Sequence, residues 1–355
     1  MMTGKLTDDL LWLLEQKSVT GEEKSLCDDL EVRVGETPGW NTERVSNNLA
    51  IRRESPDPSR PKVAFAGHLD TVPEPEKGLP VRVEGDRIYG RGASDMKAGD
   101  AVMLALLEGF DWNASWAEPI FVFYEREEGP HLENGLETVF EKMSWVLEAD
   151  LALVPEPTGG ALEVGCIGTA QVEVVFRGKA AHSARPWQGE NAMTKAEAFL
   201  AKLHEREAEE VVVDGLSFYE VVVPTMARSG NAKNVVPDSM WMNVNHRFAP
   251  GRGIGHVKSV FEGLLEGEAE FAVVDFAPSG DVDLTHPLLE RLLETGIEVR
   301  PKQAWTDVAR FSGRGVAAVN LGPGLSSQAH QDEEYAEIPL LEESFDALRE
   351  FLSHP

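Results

Sequence analysis

Cysteine is nearly absent from this chain. Cys27 and Cys166 are the only two in 355 residues. That is too few for a disulfide framework or a cysteine-rich zinc site, and it suits two free thiols in a reducing cytoplasm. Basic residues are also scarce: 33 Lys and Arg face 61 Asp and Glu, for a formal net charge of −28. Such a charge repels nucleic acid and anionic membranes, so neither is expected as a partner. No apolar run approaches the roughly 18 residues of a membrane-spanning helix. The N-terminus lacks the basic region and small-residue cleavage pattern of a secretory signal, so a cytoplasmic protein is expected. There is no internal repeat and no low-complexity segment. The chain carries no GxxxxGK[ST] and no Gly-x-Ser-x-Gly, which excludes a P-loop and a serine-nucleophile elbow. Neither cysteine has a nucleophile motif around it.

What is present is a globular composition, 42% hydrophobic, in a length that suits two domains. Thr7-Asp8-Asp9 before Leu10, Leu11, Leu13 and Leu14 reads as an N-cap and acidic first turn opening an amphipathic helix. Strands then alternate with helices: Val63–Ala66, helix Ala98–Leu107, Ile120–Phe123, helix Leu136–Met143, Leu151–Val154. Apolar strands of that kind imply an α/β fold, a mainly parallel sheet with helices on both faces. The middle of the chain differs. Gln171–Phe176 alternates, a long helix is expected from Asn191 to Glu210, and strands follow at Val211–Val213, Val221–Val223 and Trp241–Phe248. A further helix and strand end near Phe276. The helix–strand alternation resumes near His286, with a strand at Val316–Leu321 and a last helix from Leu340. The expected organisation is a discontinuous domain, 1–167 with 282–355, carrying an inserted α+β domain over 168–281.

Chemistry concentrates in segments that follow strands or occupy Gly/Pro-rich loops. In open α/β sheets, ligands bind beyond the carboxyl ends of the strands, so these segments are expected to converge. Gly67-His68-Leu69-Asp70 pairs an imidazole with a carboxylate two residues on. Gly90-Arg91-Gly92-Ala93-Ser94-Asp95 is a permissive loop with Asp95 just before a helix. Glu125-Arg126-Glu127-Glu128-Gly129 sets two adjacent carboxylates beside a glycine, a costly pairing without a cation. Pro155-Glu156-Pro157 fixes the backbone of one glutamate. Ala329-His330-Gln331 supplies a second imidazole after Gly322-Pro323-Gly324. His68, Asp95, Glu128, Glu156 and His330 make a set of two imidazoles and three carboxylates. That set suits a pair of borderline divalent ions such as zinc, with room for water and substrate.

In this order and spacing, GHLDTVP, GRGASDMKAG, EREEG, VPEPT and AHQDEE resemble the zinc aminoacylase and carboxypeptidase family of metallohydrolases called M20, over nearly the whole chain. Within it, AWTDVARF (304–311) and VNLGPG (319–324) are most similar to the desuccinylase branch. The resemblance implies a zinc-peptidase-like domain with an inserted dimerisation and lid domain, a homodimer, and two Zn2+ for which Co2+ substitutes. Asp95 would bridge the ions, with His68 and Glu156 on one and Glu128 and His330 on the other. Asp70 would orient His68, and Glu127 would be the general base. The peptide after Asp95 would be cis. In Gly178-Lys179-Ala180-Ala181-His182, His182 would act at the active site of the partner subunit. Asn234, Arg247, Thr306 and Gly322 would lie near the substrate.

The implied activity is hydrolysis of a linear amide, removing an acyl group from an amino acid. Deacetylases and dipeptidases or carboxypeptidases of the same family are the alternatives, as is a binding protein without activity. Two departures bear on this. Ala98 stands where the family often has glycine. Cys166 stands where other desuccinylases carry a carboxylate-holding arginine, and Arg185 or Arg310 are the candidates to replace it.

Overall fold

The structure, a computed structural model, describes residues 2–230 and 232–353. These divide into two compact units. The first comprises the chain up to Gly165, Asp283–Arg300 and the chain from Thr306 on; the second comprises Cys166–Val282 and Pro301–Trp305.

The first unit begins with α1 (Met2–Glu15) and α2 (Lys24–Gly35). The expected N-cap at Thr7-Asp8-Asp9 is corrected here, because all three residues lie inside α1. Leu6, Leu10, Leu13 and Leu14 are all buried, so the apolar face already starts a turn earlier. Asp9 serves side chains instead, accepting from Lys5 at 2.8 Å and Arg33 at 2.5 Å. A hairpin follows, β1 (Trp40–Val45) and β2 (Asn48–Arg53), then β3 (Lys62–His68) and the short β4 (Arg82–Glu84) and β5 (Arg87–Tyr89). Next come α3 (Ala98–Gly109), β6 (Glu118–Tyr124), α4 (Gly135–Lys142), β7 (Leu151–Val154) and β8 (Leu162–Val164).

The second unit contains β9 (Gly168–Arg177), β10 (Ala181–His182), α5 (Ala192–Lys195), α6 (Glu197–Glu205), β11 (Glu209–Val213), β12 (Leu216–Ser229), β13 (Val235–Val236), β14 (Ser239–Phe248), α7 (Ile254–Leu265) and β15 (Glu270–Ala277). Five of these strands form a sheet ordered β11-β12-β14-β9-β15. Burial alternates along β9 and β14, so one face packs and the other does not. Val172, Val174, Phe176, Met242 and Val244 form that packed face with Phe199 and Leu203 of α6 and Val257, Phe261 and Leu265 of α7. The single helix expected over 191–210 is corrected: it is two short helices, and Glu209–Val213 is a strand. The β-branched run Val211–Val213 pairs with β12 instead, Val211 opposite Phe218.

The chain then returns to the first unit through α8 (Pro287–Glu294), β16 (Val299–Pro301), α9 (Val308–Ser312), β17 (Ala317–Asn320), β18 (Tyr335–Glu337) and α10 (Ile338–Ser353). The first unit's main sheet has eight strands, ordered β1-β2-β6-β3-β7-β17-β8-β16. Its centre is parallel, β3 with β6 and β7, and β7 with β17. The flanking pairs β1–β2, β2–β6 and β17–β8 are antiparallel. Every residue of β6 and β7 is buried, as strands covered on both faces must be. Because β3, β6, β7 and β17 run the same way, their carboxyl ends and the loops after them share one edge.

Candidate metal centre

That shared edge collects the carboxylates and imidazoles singled out above. His68 is the last residue of β3 and fully buried. Glu127 and Glu128 follow β6, Glu156 follows β7, and His330 lies between β17 and β18. Asp95 sits in a kinked turn just before α3, and its peptide to Met96 is cis. Arg126 and His330 both adopt left-handed backbone, each with φ +62°. Such conformations cost non-glycine residues about 1–3 kcal/mol and persist where the surroundings enforce them.

Two donor triads share Asp95. His68 Nε2 lies 3.3 Å from Asp95 Oδ1 and 3.9 Å from Glu156 Oε1. His330 Nε2 lies 2.8 Å from Glu128 Oε1 and 3.6 Å from Asp95 Oδ2. Within each triad, His68–Asp95–Glu156 and Asp95–Glu128–His330, the donor atoms are no more than 4.8 Å apart. Each oxygen of Asp95 therefore faces a different group. Glu127 lies beside them, within the same reach of His68 and Glu128.

The surrounding chain orients these donors. His68 Nδ1 is 2.9 Å from the Asp70 carbonyl oxygen. A carbonyl only accepts, so Nδ1 carries a proton there, which leaves Nε2 facing Asp95 and Glu156. The Asp70 carboxylate lies farther, 3.5 Å from Nδ1. Its oxygens accept from the backbone N–H of Glu127 at 2.9 Å and of Glu128 at 3.1 Å, and from Thr20 Oγ1 at 2.9 Å. Asp70 thus ties the His68 strand to the Glu127–Glu128 loop.

Glu334 was not singled out in the sequence, yet it holds the Asp95 turn. Buried, it accepts from the N–H groups of Gly92, Ser94 and Asp95 at 3.0, 2.9 and 3.1 Å, and from Arg91 at 2.7 Å. Another buried carboxylate, Asp307, accepts from Tyr124, Asn134 and Arg310. It anchors Tyr124, three residues before Glu127.

The protonation of this edge reflects carboxylate crowding. Burial pushes Glu127 well above the usual carboxylate range; Glu156, Asp307 and Glu128 add to the rise and His68 opposes it. Burial alone would lower His68, but its hydrogen bonds to Asp70 and Asp95 hold it well above its usual value. Asp70 is lowered despite its burial, chiefly by His68. His330 is raised, mainly by Glu128. Protons here fill the role of missing positive charge. Divalent ions supply such charge and reverse these shifts, so the donor set fits a two-metal centre.

The remaining expected residues are not among these donors. His182, Asn234 and Arg247 belong to the second unit. There His182 and Asn234 are neighbours, since the Ser183 N–H donates to the Asn234 carbonyl at 2.9 Å and β10 pairs with β13. His182 is exposed, and its Nδ1 accepts from the Ala184 N–H at 3.1 Å. Arg247 Nε donates to Asn245 at 3.0 Å, and no carboxylate pairs with Arg247 among the described residues. Thr306 is buried, and its carbonyl accepts from the Ala309 N–H at the start of α9. Gly322 exchanges two bonds with the Thr158 hydroxyl, at 3.0 and 3.1 Å. Of the two arginines considered for the role absent at Cys166, Arg310 is engaged by Asp307, Glu137 and His131. Arg185 is exposed and has no carboxylate partner among the described residues.

The fold and this edge define a metallohydrolase, and the sequence pattern of peptidase family M20/M25/M40 matches residues 64–354. The chain belongs to that family. Its curated relatives include the succinyl-diaminopimelate desuccinylase of Corynebacterium glutamicum, 38% identical over 350 residues, covering 96% of this chain and 94% of the relative. The protein named putative succinyl-diaminopimelate desuccinylase in Mycobacterium tuberculosis is 37% identical, covering 96% of each chain. Among solved structures, aminopeptidase PepT of Bacillus cereus superposes with TM-score 0.79 at 18% identity, covering 99% of this chain and 98% of that one. The YXEP protein of Bacillus subtilis, described as a dinuclear metal-binding peptidase of the M20 family, gives TM-score 0.71 at 16% identity, covering 99% and 98%. These structures share the fold. No helix among the described residues is long and apolar enough to cross a membrane.

Proposed function

We propose that this chain is a zinc-dependent amide hydrolase that cleaves N-succinyl-LL-2,6-diaminopimelate to succinate and LL-2,6-diaminopimelate in the cytoplasm. The observation that carries the metal chemistry is Asp95, with one oxygen toward His68 and the other toward His330. The substrate assignment rests on the two desuccinylases that match 96% of this chain at 37–38% identity. His68, Asp95 and Glu156 would hold one Zn2+, and Asp95, Glu128 and His330 the other. Such ions, when bound, polarise the amide carbonyl and lower the pKa of water.

The protein's own part is proton transfer and orientation. Glu127 removes a proton from the attacking water and returns it to the departing amine. Asp70 and Glu334 hold the backbone that aims Glu127, Glu128 and Asp95. Glu127→Gln keeps the five ligands and is expected to lower kcat by roughly 10²–10⁴-fold with metal still bound. Wild-type turnover in that variant would remove Glu127 from the role.

We further read the protein as a homodimer formed through the second unit. Beyond the residues paired with β11, the outer edge of β12 has no strand beside it among the described residues. Val223 and Met226 on it, and Met193 and Leu200 on α5 and α6, are exposed. His182 would then stabilise the oxyanion at the active site of the partner subunit. Asn234, Arg247 and Arg185 would bind the substrate's carboxylates, and Thr306 and Gly322 would also contact the substrate.

The deciding assay compares amine release from N-succinyl-LL-diaminopimelate and N-acetylornithine, using chelator-stripped and zinc-reloaded protein. Zinc-dependent cleavage of the succinyl compound alone is the expected result. Preference for the acetyl compound would keep the chemistry and overturn the substrate.

A further inference from the structure

The second unit buries a polar cluster of its own that the hydrolytic reading does not use. Glu220 on β12 and His246 on β14 are 1% and 0% exposed. The register sets Val222 opposite His246, so Glu220 and His246 share the face covered by α6 and α7. His256, in the first turn of α7, closes over them: its Nε2 lies 3.2 Å from Glu220 Oε2. The His246 and His256 rings have centroids 5.8 Å apart. One donor atom from each of the three residues lies within 4.8 Å of the others.

His246 is the anomaly. Neither of its ring nitrogens has a hydrogen-bond partner, although the ring is fully buried. A buried nitrogen of this kind costs about 1–3 kcal/mol unless something satisfies it. Its neighbours do not explain it. Phe248 and Phe261 pack edge-on against the ring. Glu220 Oε1 is already used by the Ala249 N–H at 2.9 Å and Arg252 Nε at 3.3 Å. That leaves Oε2 directed at His256. Burial pushes His246 down to about 4, so at neutral pH its ring is uncharged and has a free lone pair. Arg206 and Arg252 are the nearby cations; Arg206 pairs with Glu209, and Arg252, 40% exposed, meets Glu220 through Oε1 and leaves Oε2 to His256.

We propose that Glu220, His246 and His256 form a separate divalent-metal site, binding one borderline transition ion such as Zn2+, Co2+ or Ni2+. Two imidazoles and one carboxylate select such ions over Mg2+ or Ca2+, which prefer oxygen. Tetrahedral bonds of about 2.0–2.1 Å place ligand atoms roughly 3.3 Å apart; Glu220 and His256 already stand at 3.2 Å, and His246 closes in from within 4.8 Å. The ion would satisfy His246 and pin α7 to β12 and β14. Its role is to brace the second unit, and it does not depend on the hydrolytic reading.

The test is metal counting on full-length protein. Chelator-stripped wild type, His246→Phe and His256→Ala are dialysed against Zn2+, and bound zinc is measured by elemental mass spectrometry. Each variant is expected to hold one equivalent per chain less than wild type. Co2+-loaded wild type should also lose part of its visible absorption on His256→Ala. Because the comparison is a difference, it reads this site whatever the first unit binds. His256 is partly exposed, so His256→Ala serves even if His246→Phe fails to fold. Equal zinc in wild type and His256→Ala would overturn the proposal.

Discussion

Asp100 lies in α3 with both carboxylate oxygens buried and no hydrogen-bond partner among the described residues. Burial pushes its pKa up to about 8, against the pull of His68 and Lys97. Lys97 is pushed down to about 8 by burial and donates to the carbonyls of Leu13 and Gln16. Unfolded, an Asp titrates near roughly 4. Between there and about 8, the folded state holds the extra proton. Stability from Asp100 is therefore present below that window and lost as pH rises through it. In urea titrations, Asp100→Asn should remove this decline, a difference on the order of a few kcal/mol by pH 8. Parallel pH profiles for both proteins would contradict the assignment. Burial also pushes the Cys27 thiol up to about 12, and Cys166 is equally enclosed. Neither thiol should react with a disulfide reagent at pH 8 until denaturant is added; rapid labelling of the native protein would show one of them open. At this scale the sequence was most legible for groups that bind through side chains. His68, Asp95, Glu128, Glu156 and His330 were each marked by glycine or proline context and strand position, and the structure brings them together. Glu334 gave no such signal. It lies in an acidic run, Asp332-Glu333-Glu334, and its partners are backbone N–H groups, which no sequence pattern reveals.

Loops, more than strands, set the precision of the first unit's edge. A Cβ on Gly322 would lie 2.2 Å from the Pro155 oxygen and 2.5 Å from the Glu156 oxygen. One on Gly99 would meet the same Pro155 oxygen at 2.3 Å, and one on Gly324 the Ser94 oxygen at 2.1 Å. The loops carrying Asp95, Glu156 and His330 thus meet backbone to backbone. Gly322→Ala must push the Pro155–Glu156 segment away, at a cost of about 1–3 kcal/mol for overpacking. It is expected to lower both the urea midpoint and the zinc affinity. Wild-type values for both would mean that the contact is slack. Buried elements were readable because apolar runs announce them, as in β3, β6 and β7. The β1–β2 hairpin and α2 were not read: β1 is Trp-Asn-Thr-Glu-Arg-Val, and α2 mixes Asp28, Asp29, Glu31 and Arg33 among its apolar positions. The helix expected over 191–210 failed for a related reason. Its Glu and Ala residues favour helix, but pairing with β12 decides the fate of 209–213.

For the whole molecule, the second unit's uncovered strand edge and exposed apolar residues give the dimer reading a direct check. Light scattering should return about twice the 39.0 kDa chain mass. Met226→Glu, which puts a charge on the exposed edge strand, should shift the protein toward monomer and lower activity with it. A fully active monomer would show that His182 is not needed from a second chain. The break in strand–helix alternation put the expected divisions at 167/168 and 281/282, whereas the compact units divide after Gly165 and Val282. The excursion of Pro301–Trp305 into the second unit was not legible, because short segments carry no periodicity.

The position of β17 also has a consequence for how the chain is made. It lies between β7 and β8 in the finished sheet, yet β7 ends at Val154 and β17 begins at Ala317. On a ribosome adding roughly 5–20 residues per second, β7 therefore waits on the order of ten seconds or more for that neighbour, with an apolar edge unpaired. The whole second unit is synthesised in that interval, and His330 and Glu334 emerge later still. A nascent chain is therefore unable to set His330 beside Glu128 and Asp95 until that segment has left the exit tunnel, and a product that terminates before Ala317 lacks that imidazole and keeps the β7 edge without its neighbour.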